Sequence, residues 1–242
     1  MQTAPAPVIV AIDGPSGTGK SSTSKAVAAE LGLRYLDTGA QYRAITWWML
    51  SNGIDVADPT AVAAAAGKPV IVSGTDPARS TIMVDGADAA GPIRTQEVTA
   101  AVSAVSAVAE VRGRITELQR SIAAGTAEGT DPADVAAPSR GIVVEGRDIG
   151  TTVLPDADLK VFLTASPEAR AARRSGELRG KDSADLATTR AALLKRDAAD
   201  SGRKASPLKK ADDAVEVDTT ELTLEQVVEC VVTLVREQQP AG

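Results

Sequence analysis

A glycine-rich segment near the start of the chain has the spacing of a phosphate-binding loop. It runs Gly14-x-x-x-x-Gly19-Lys20-Ser21, directly after the apolar run Val8–Ile12 and before an alanine-rich segment. The glycines let the backbone wrap closely, so that amide N–H groups and the N-terminus of the next helix point at phosphate oxygens. We expect Lys20 to reach the β- and γ-phosphates of a nucleotide and the Ser21 hydroxyl to coordinate Mg²⁺.

This loop is shared by several classes of nucleotide enzyme. The chain has no Asn-Lys-x-Asp segment that could recognise guanine, and 242 residues are few for a motor ATPase. Small ATP-dependent kinases therefore fit best. The residues expected to bind ATP in and after the loop are Gly14, Pro15, Ser16, Gly17, Thr18, Gly19, Lys20, Ser21 and Thr23.

The residue types that are absent or rare in the chain exclude several kinds of catalytic site. The chain has no histidine, which excludes histidine acid–base catalysis, Ser-His-Asp triads and most zinc sites. The single cysteine, Cys230, cannot form an internal disulfide, and its place among valines at helical spacing predicts a buried thiol. Catalysis must therefore use Asp, Glu, Lys, Arg, hydroxyl groups, backbone amides and a metal ion.

Positive charge is concentrated in one segment of an acidic chain. The formal net charge is −6, yet residues 170–210 contain 12 Lys and Arg against 5 Asp and Glu. This asymmetry favours a local anion site over a nucleic-acid surface, and a solvated charged helix would explain it equally well. The apolar runs are far shorter than the roughly 20 residues that span a bilayer, and residues 1–7 lack a secretory pattern. We expect a cytoplasmic protein that binds neither membranes nor nucleic acid.

The hydrophobic pattern alternates between strands and helices. Predicted strands are Val8–Ile12, Leu33–Leu36, Gly141–Glu145, Leu159–Thr164 and Ala214–Val217. Predicted helices cover residues 20–31, 41–50 and 95–124, and a terminal helix begins at Thr223 with Gln226 completing a capping box. The alternation predicts an α/β fold with a central parallel sheet covered by helices on both sides.

Two regions depart from this alternation. Val70–Val72 and Thr81–Val84 are short β-rich runs separated by Gly, Asp and Pro, which predicts a hairpin in a small inserted substructure. Residues 125–139 are rich in Ala, Gly, Asp, Thr and Pro, and we expect an exposed, mobile connection there.

Four motifs, in order along the chain, resemble those of bacterial cytidylate kinases, which are P-loop nucleoside monophosphate kinases. They are Ile12-Asp13-Gly14-Pro15-Ser16-Gly17-Thr18-Gly19-Lys20, Asp37-Thr38-Gly39-Ala40-Gln41-Tyr42-Arg43, Ile93-Arg94-Thr95-Gln96-Glu97-Val98 and Gly146-Arg147-Asp148-Ile149-Gly150-Thr151. The resemblance extends from about residue 8 to residue 237. It implies a P-loop kinase fold and ATP- and Mg²⁺-dependent phosphorylation of CMP or dCMP.

The resemblance also implies roles for individual residues at the acceptor phosphate. Arg43, Arg147 and Arg203 match positions that hold this phosphate, with Ser16 nearby. A phosphate monoester has a second pKa of about 6 and is largely dianionic at neutral pH, so it needs no general base. It needs cations instead, and the planar fork of arginine binds phosphate bidentately.

Other matched positions concern the base, the sugar and the metal. Asp148, Arg112 and Ser103 match base-binding positions, and a carboxylate can accept from the cytosine amine. If Ser103 and Arg112 serve one site, the helix between them must break near residues 107–110, because nine residues place them on opposite faces. The matched sugar-binding and remaining substrate positions are Arg196, Asp200, Asp37 and Thr38, and Glu145 could join the Mg²⁺ water shell.

The family pattern implies one domain with two attached substructures. The core spans about residues 7–62 and 104–242, a nucleoside monophosphate-binding insert about 63–103, and a lid about 168–185. The lid would carry Arg170, Arg173 and Arg174 to the ATP phosphates and exclude water. Of Trp47 and Trp48, adjacent on a helix, we expect one in the core and the other at the surface. We expect a monomer.

Two alternatives share the phosphate loop. A small-metabolite kinase would need a carboxylate base beside the acceptor hydroxyl, and Asp37 could serve. A regulatory protein could bind a nucleotide without turnover. The intact loop lysine and the set of arginines argue against the second alternative.

Overall fold

The structure, a computed structural model, describes residues 7–126, 128–135, 140–177 and 186–238. Its helices and strands in chain order are β1 Val8–Asp13, α1 Lys20–Leu31, β2 Arg34–Asp37, α2 Thr38–Ser51, α3 Pro59–Ala65, β3 Ile71–Ser73, β4 Ile82–Val84, β5 Ala87–Asp88, α4 Gln96–Val105, α5 Ala109–Ala123, α6 Pro132–Val135, β6 Gly141–Glu145, β7 Leu159–Thr164, α7 Pro167–Glu177, α8 Leu186–Ser201, β8 Val215–Asp218 and α9 Leu224–Gln238. A 3₁₀ turn at Pro92–Arg94 and a π-helical turn at Ile149–Val153 complete them.

The central sheet confirms the predicted architecture. Its strand order is β2-β6-β1-β7-β8, and each neighbouring pair is parallel. Strands β1 and β6 are almost entirely buried, which explains their continuous apolar sequences. One hydrophobic cluster packs on one face against α2 and α5, and a second packs on the other against α1 and α9. Parallel strands with crossover helices place all their carboxyl ends at one edge of the sheet.

Helix boundaries follow the local sequence signals. Helix α1 begins directly after the loop and ends at Gly32, whose φ of 64° is the left-handed conformation that favours glycine at a C-cap. Helix α2 begins after Asp37, whose side chain accepts from the N–H of Ala40 at 2.9 Å. The predicted capping box is confirmed, because the Thr223 N–H donates to Gln226 Oε1 at 2.9 Å and Thr223 Oγ1 accepts from the Gln226 N–H at 3.3 Å.

A second, three-stranded antiparallel sheet confirms the predicted hairpin. Strand β4 pairs with β3 and with the short strand β5. The predicted helix over residues 95–124 is two helices, with a break at residues 106–108 between α4 and α5. This break lies where a common site for Ser103 and Arg112 requires it.

The connection over residues 125–139 is more ordered than its composition predicts, in the part that the structure describes. Ser73 of the second sheet donates its N–H to the Gly129 carbonyl at 2.7 Å and accepts from the Asp131 N–H at 2.9 Å. The Asp134 carboxylate accepts from the N–H of Thr75 at 2.6 Å. The expectation of exposure is confirmed at residues 125, 126, 128, 132 and 133, but Gly129, Asp131 and Asp134 are half-buried and tied to the second sheet. Residues 127 and 136–139 lie outside the described ones.

Two expectations about single side chains are also wrong. Cys230 is exposed, because it lies beside rather than within the valine stripe of α9. Trp47 and Trp48 are both half-buried and both pack against the first hydrophobic cluster. The Trp48 indole N–H also donates to Asp85 Oδ2 at 2.6 Å, so its ring is held against the protein.

No helix in the described ranges is both long and apolar enough to cross a membrane.

Candidate functional site

The predicted site residues converge on a cleft at the carboxyl ends of the parallel strands. This cleft has a volume of about 250 Å³. Its walls come from the phosphate loop, the ends of β2 and β6, the junction between α4 and α5, and α8. Predicted site residues that line it are Ser16, Gly17, Gly19, Lys20, Ser21, Asp37, Thr38, Arg43, Arg112, Glu145, Arg147, Asp148, Arg174, Arg196, Asp200 and Arg203.

A larger cavity of about 330 Å³ lies at the opposite edge of the sheet. Its residues include Ile9 and Gly141 at the strand starts and Arg34. Arg34 donates to the carbonyls of Ile122 and Ala123 at the end of α5, at 2.7 and 3.0 Å. The Arg34 guanidinium therefore caps the C-terminus of α5. Most of the charged side chains predicted for the site line the other cleft.

The phosphate loop adopts the wrapped form that its glycines permit. Gly14 has a φ of 143°, and a Cβ at this position would collide with the carbonyl oxygen of Leu163. The Lys20 ammonium donates to the Pro15 carbonyl at 2.7 Å, and the Thr18 hydroxyl donates to the same oxygen at 3.1 Å. Burial, together with the charge of Arg147, lowers the pKa of Lys20 below its usual value. An anion in the loop would restore the preference for the charged ammonium.

Two of the predicted lid arginines lie behind the loop instead of in the cleft. Arg170 is buried, donates to the Ser16 carbonyl at 3.2 Å and pairs with Asp197. Arg173 donates to Thr219, whose hydroxyl lies 3.2 Å from the Thr18 carbonyl. In this structure both arginines therefore brace the loop from outside.

Of the other residues predicted to contact ATP, some line the cleft and some lie outside it. Arg174 lines the cleft, so of the three predicted lid arginines it is placed to meet a ligand. Thr23 is 1% exposed within α1 and supports the loop from below. Residues 178–185 of the predicted lid lie outside the described residues.

The three arginines predicted to hold the acceptor phosphate meet in the cleft. Arg147 donates to Ser16 Oγ at 2.6 Å and to Asp200 at 3.2 Å. Arg203 pairs with the other oxygen of Asp200, and Arg43 donates to Thr99 Oγ1 at 2.9 Å. The three guanidinium groups reach this position from α2, from the segment after β6 and from the end of α8.

These arginines repel one another. Burial, together with the charges of Arg147 and Arg43, lowers the pKa of Arg196 to about 10. Burial likewise lowers the pKa values of Arg43 and Arg203, and other arginines add to both shifts. The buried Arg196 Nε has no hydrogen-bond partner. The cleft is therefore built for an anionic ligand that supplies the missing negative charge.

Asp200 is a structural partner of these arginines and not a surface charge. It is 1% exposed and binds Arg147 and Arg203 with its two oxygens. Arg196, four residues earlier on α8, lines the same cleft. Arg196 and Asp200 are therefore parts of the cleft and do not form an isolated surface pair.

The other end of the cleft carries a buried ion pair. Arg112 donates to Asp148, and the two side chains are only 5% and 6% exposed. Arg112 also donates to the Ser106 carbonyl at 3.2 Å and lies over the Tyr42 ring, 5.4 Å from its centroid. Ser106 lines the cleft where Ser103 was expected, and Ser103 contributes its carbonyl to the Ser106 hydroxyl at 3.2 Å. Direct base contact by Ser103 stays a prediction.

Oxygen atoms at the loop suit a magnesium ion. The Ser21 hydroxyl, Asp37 and Glu145 all line the cleft, and Glu145 accepts a hydrogen bond from the Tyr35 hydroxyl. Burial and the neighbouring charge of Asp37 raise the pKa of Glu145 to about 7. A bound divalent cation would lower this pKa again, because its positive charge stabilises the carboxylate. Hydroxyl and carboxylate oxygens are the hard ligands that Mg²⁺ prefers. Thr38 supports this edge by donating to the Glu145 carbonyl at 2.6 Å.

Asp13 is a site residue that the sequence analysis missed. Its buried carboxylate accepts hydrogen bonds from the N–H groups of Ile149 and Gly150 at 2.9 and 2.8 Å. Burial raises its pKa to about 6. The signal was an acidic residue directly before the first loop glycine, at the end of an otherwise apolar strand.

Comparison with known proteins finds relatives over almost the whole chain. A family model described as cytidylate kinase matches residues 10–237. A cytidylate kinase of Streptomyces coelicolor is 77% identical over 237 residues, covering 98% of this chain and 96% of the relative. Those of Streptomyces avermitilis and Nocardia farcinica are 75% and 49% identical, covering 99% and 98% of this chain and 97% of each relative. The chain belongs to the cytidylate kinase family.

Proposed function

We propose that this protein transfers the γ-phosphoryl group of ATP to CMP, giving CDP and ADP, and that dCMP is a second acceptor. One observation carries the proposal. The lysine-bearing phosphate loop and Arg43, Arg147 and Arg203 line a single cleft, and the Asp148–Arg112 pair lies in its wall. A donor triphosphate and an acceptor monophosphate would meet between the loop and the three arginines.

The acceptor needs positioning more than activation. Its phosphate oxygen is already a nucleophile at neutral pH, which agrees with a chain that contains no histidine. Arg43, Arg147 and Arg203 bind this phosphate and reduce its repulsion from the donor. Cytosine lies against Asp148, which accepts from the exocyclic amine, while Arg112 donates to the acceptor atoms of the ring. Arg196 and Asp200 bind the sugar hydroxyls.

The donor is bound by the loop. Backbone N–H groups of residues 14–21 surround the phosphates, and Lys20 follows the γ-phosphoryl group as it moves to the acceptor. The Ser21 hydroxyl would hold Mg²⁺, with Asp37 and Glu145 close by, and the ion would neutralise charge on the donor phosphates. Arg174 adds positive charge from the side of α7. Closure of the segment around residues 168–185 excludes water and so limits ATP hydrolysis.

The proposal extends to the organisation of the chain. Residues 63–103 act as the monophosphate-binding insert of one kinase domain, which works as a monomer in the cytoplasm. The two alternatives, a small-metabolite kinase with Asp37 as base and a regulator without turnover, are not favoured, because the family and its named relatives are kinases of cytidylate.

An ADP-release assay tests the proposal. The protein is given ATP, Mg²⁺ and, at equal concentrations, CMP, dCMP, UMP, AMP or shikimate. We expect the highest kcat/KM with CMP. Preference for shikimate, or ADP release that is indifferent to CMP, would overturn the assignment.

A further inference from the structure

Helix α4 carries two hydroxyl groups toward the acceptor arginines. Thr99 lies within α4, and Ser106, seven residues later, is its C-cap and still has a right-handed helical conformation, so the two residues lie about two turns apart on the same side. Thr99 Oγ1 accepts from Arg43 Nη1 at 2.9 Å, and Ser106 Oγ accepts from Arg203 Nη2 at 3.1 Å. One helix face therefore contacts two arginines that are distant in sequence.

Ser106 makes two further hydrogen bonds, one in which its hydroxyl donates and one in which its carbonyl accepts. Its hydroxyl donates to the Ser103 carbonyl at 3.2 Å, which directs an oxygen lone pair toward Arg203. Its carbonyl accepts from Arg112 at 3.2 Å. Because the residue is only 5% exposed, water competes poorly for these bonds. Ser106 thus holds one arginine proposed for the phosphate and another proposed for the base.

A hydroxyl partner suits an arginine that must bind phosphate. It orients the guanidinium but leaves its positive charge intact, whereas a carboxylate would cancel the charge and compete with the phosphate. The third acceptor arginine, Arg147, also has a hydroxyl partner, since it donates to Ser16 Oγ at 2.6 Å in addition to its bond with the Asp200 carboxylate. Asp200 is shared between Arg147 and Arg203, so one negative charge faces two positive ones.

We propose that Thr99 and Ser106 are positioning residues for the acceptor phosphate. They fix the guanidinium groups of Arg43 and Arg203 before the nucleotide arrives, so that binding does not have to order two long side chains. The inference rests on the proposed function, because it assumes that these arginines bind the phosphate of the acceptor. It assigns a role to the hydroxyl groups of Thr99 and Ser106, which lie outside the four sequence motifs.

The test removes each hydroxyl while keeping the local shape. In Thr99→Val and Ser106→Ala, the KM for CMP should rise about 5-fold each, as expected for one net hydrogen bond, with kcat and the KM for ATP nearly unchanged. Calorimetric titration of CMP in the absence of ATP should show the same loss of affinity. Thr99→Ser and Ser106→Thr keep a hydroxyl and should bind CMP nearly as the wild type does.

A matched control is Ser51→Ala, which removes an exposed hydroxyl at the end of α2, the helix that carries Arg43. Its KM for CMP should not change. Thermal unfolding of every variant shows whether it is folded, and the two sites give independent tests if one variant fails to fold. An unchanged KM for CMP in a folded Thr99→Val or Ser106→Ala variant would overturn the inference, as would an equal rise in the KM for ATP.

The outcome for the wild type separates this inference from the proposed function. A wild-type protein that does not phosphorylate CMP contradicts the proposed function. The same variants are then compared with the nucleoside monophosphate that the wild type does accept, since every such acceptor carries the phosphate that Arg43 and Arg203 are proposed to hold. A rise in its KM would support the positioning role, and no rise would reject it.

Discussion

The carboxylate of Asp13 accepts a hydrogen bond of 2.8 Å from the backbone N–H of Gly150. Asp13 is the last residue of β1 and directly precedes the phosphate loop, while Gly150 follows the segment that carries Arg147 and Asp148. One buried carboxylate therefore ties the loop that is proposed to hold the donor to the segment that is proposed to hold the acceptor.

The burial of Asp13 makes the free energy of unfolding depend on pH. Burial raises the pKa of Asp13 from 3.8 to about 6, against the lowering effect of its two backbone hydrogen bonds. Between these values the folded protein binds more protons than the unfolded one, so the contribution of Asp13 to stability falls as pH rises. Relative to Asp13→Asn, the wild type should lose about 2 kcal/mol of unfolding free energy between pH 4.5 and pH 7.

Urea unfolding of both proteins across this pH range measures the difference. Glu145, whose pKa is also raised, titrates in both proteins and therefore cancels in the comparison. Parallel curves for the wild type and Asp13→Asn would show that Asp13 has an ordinary pKa and is not held as the structure shows.

Removing the loop lysine should abolish transfer while sparing acceptor binding. Lys20→Ala deletes the charge that meets the developing negative charge on the transferring phosphoryl group, and we expect kcat to fall by at least about 10³-fold. The Kd for CMP should stay within about 3-fold of the wild type, since the acceptor phosphate is assigned to arginines. Lys25→Ala, on the same helix with its ammonium over the Tyr35 ring, is the matched control and should retain kcat. Transfer that survives in Lys20→Ala would favour a mechanism without this loop.

The base preference should depend on Asp148. In Asp148→Asn the side chain presents an amide donor beside the oxygen, so it discriminates less well between the amine of cytosine and the carbonyl of uracil. The ratio of kcat/KM for CMP to that for UMP should fall at least about 10-fold. Asp156→Asn, at an exposed position after the π-helical turn, should leave the ratio unchanged. An unaltered ratio in Asp148→Asn would place cytosine elsewhere.

The shared carboxylate of Asp200 should be needed for stability when no ligand is bound. Asp200→Asn leaves Arg147 and Arg203 without their common counter-charge, and the unfolding free energy should fall by about 3 kcal/mol at low salt. Inorganic phosphate should reduce this deficit, because it replaces the lost charge between the arginines. A deficit that does not respond to phosphate would mean that the cleft does not bind anions there.

Much of the fold could be predicted because its signals are local. The predicted bounds of α1, β6 and β7 are those of the structure, since each segment is an apolar or alanine-rich run that ends at a clear breaker. The break at residues 106–108 overlaps the one expected near residues 107–110 if Ser103 and Arg112 served a common site, and that common site stays a prediction. Buried and exposed positions of single side chains were less predictable, as Cys230 shows, because they depend on how a helix is rotated against the sheet.

Site residues that belong to a sequence motif could be predicted, whereas contacts between distant segments of the chain could not. Arg147 and Arg203 were expected in the cleft, but the hydroxyl of Ser106 was not, because its partner lies 97 residues away. Arg170 packs behind Gly17 in this structure, and its contact with the ATP phosphates on lid closure stays a prediction. Charge and spacing indicate that an arginine binds an anion, but only the packing of α7 decides which side of the loop it contacts.

The most direct test of the account is a crystal structure with CMP and an unreactive ATP analogue. We expect the CMP phosphate within hydrogen-bonding distance of Arg43, Arg147 and Arg203, the analogue's γ-phosphate beside Lys20, and cytosine against Asp148. A complex in which these three arginines point into solvent, or in which CMP binds outside the cleft, would contradict the account.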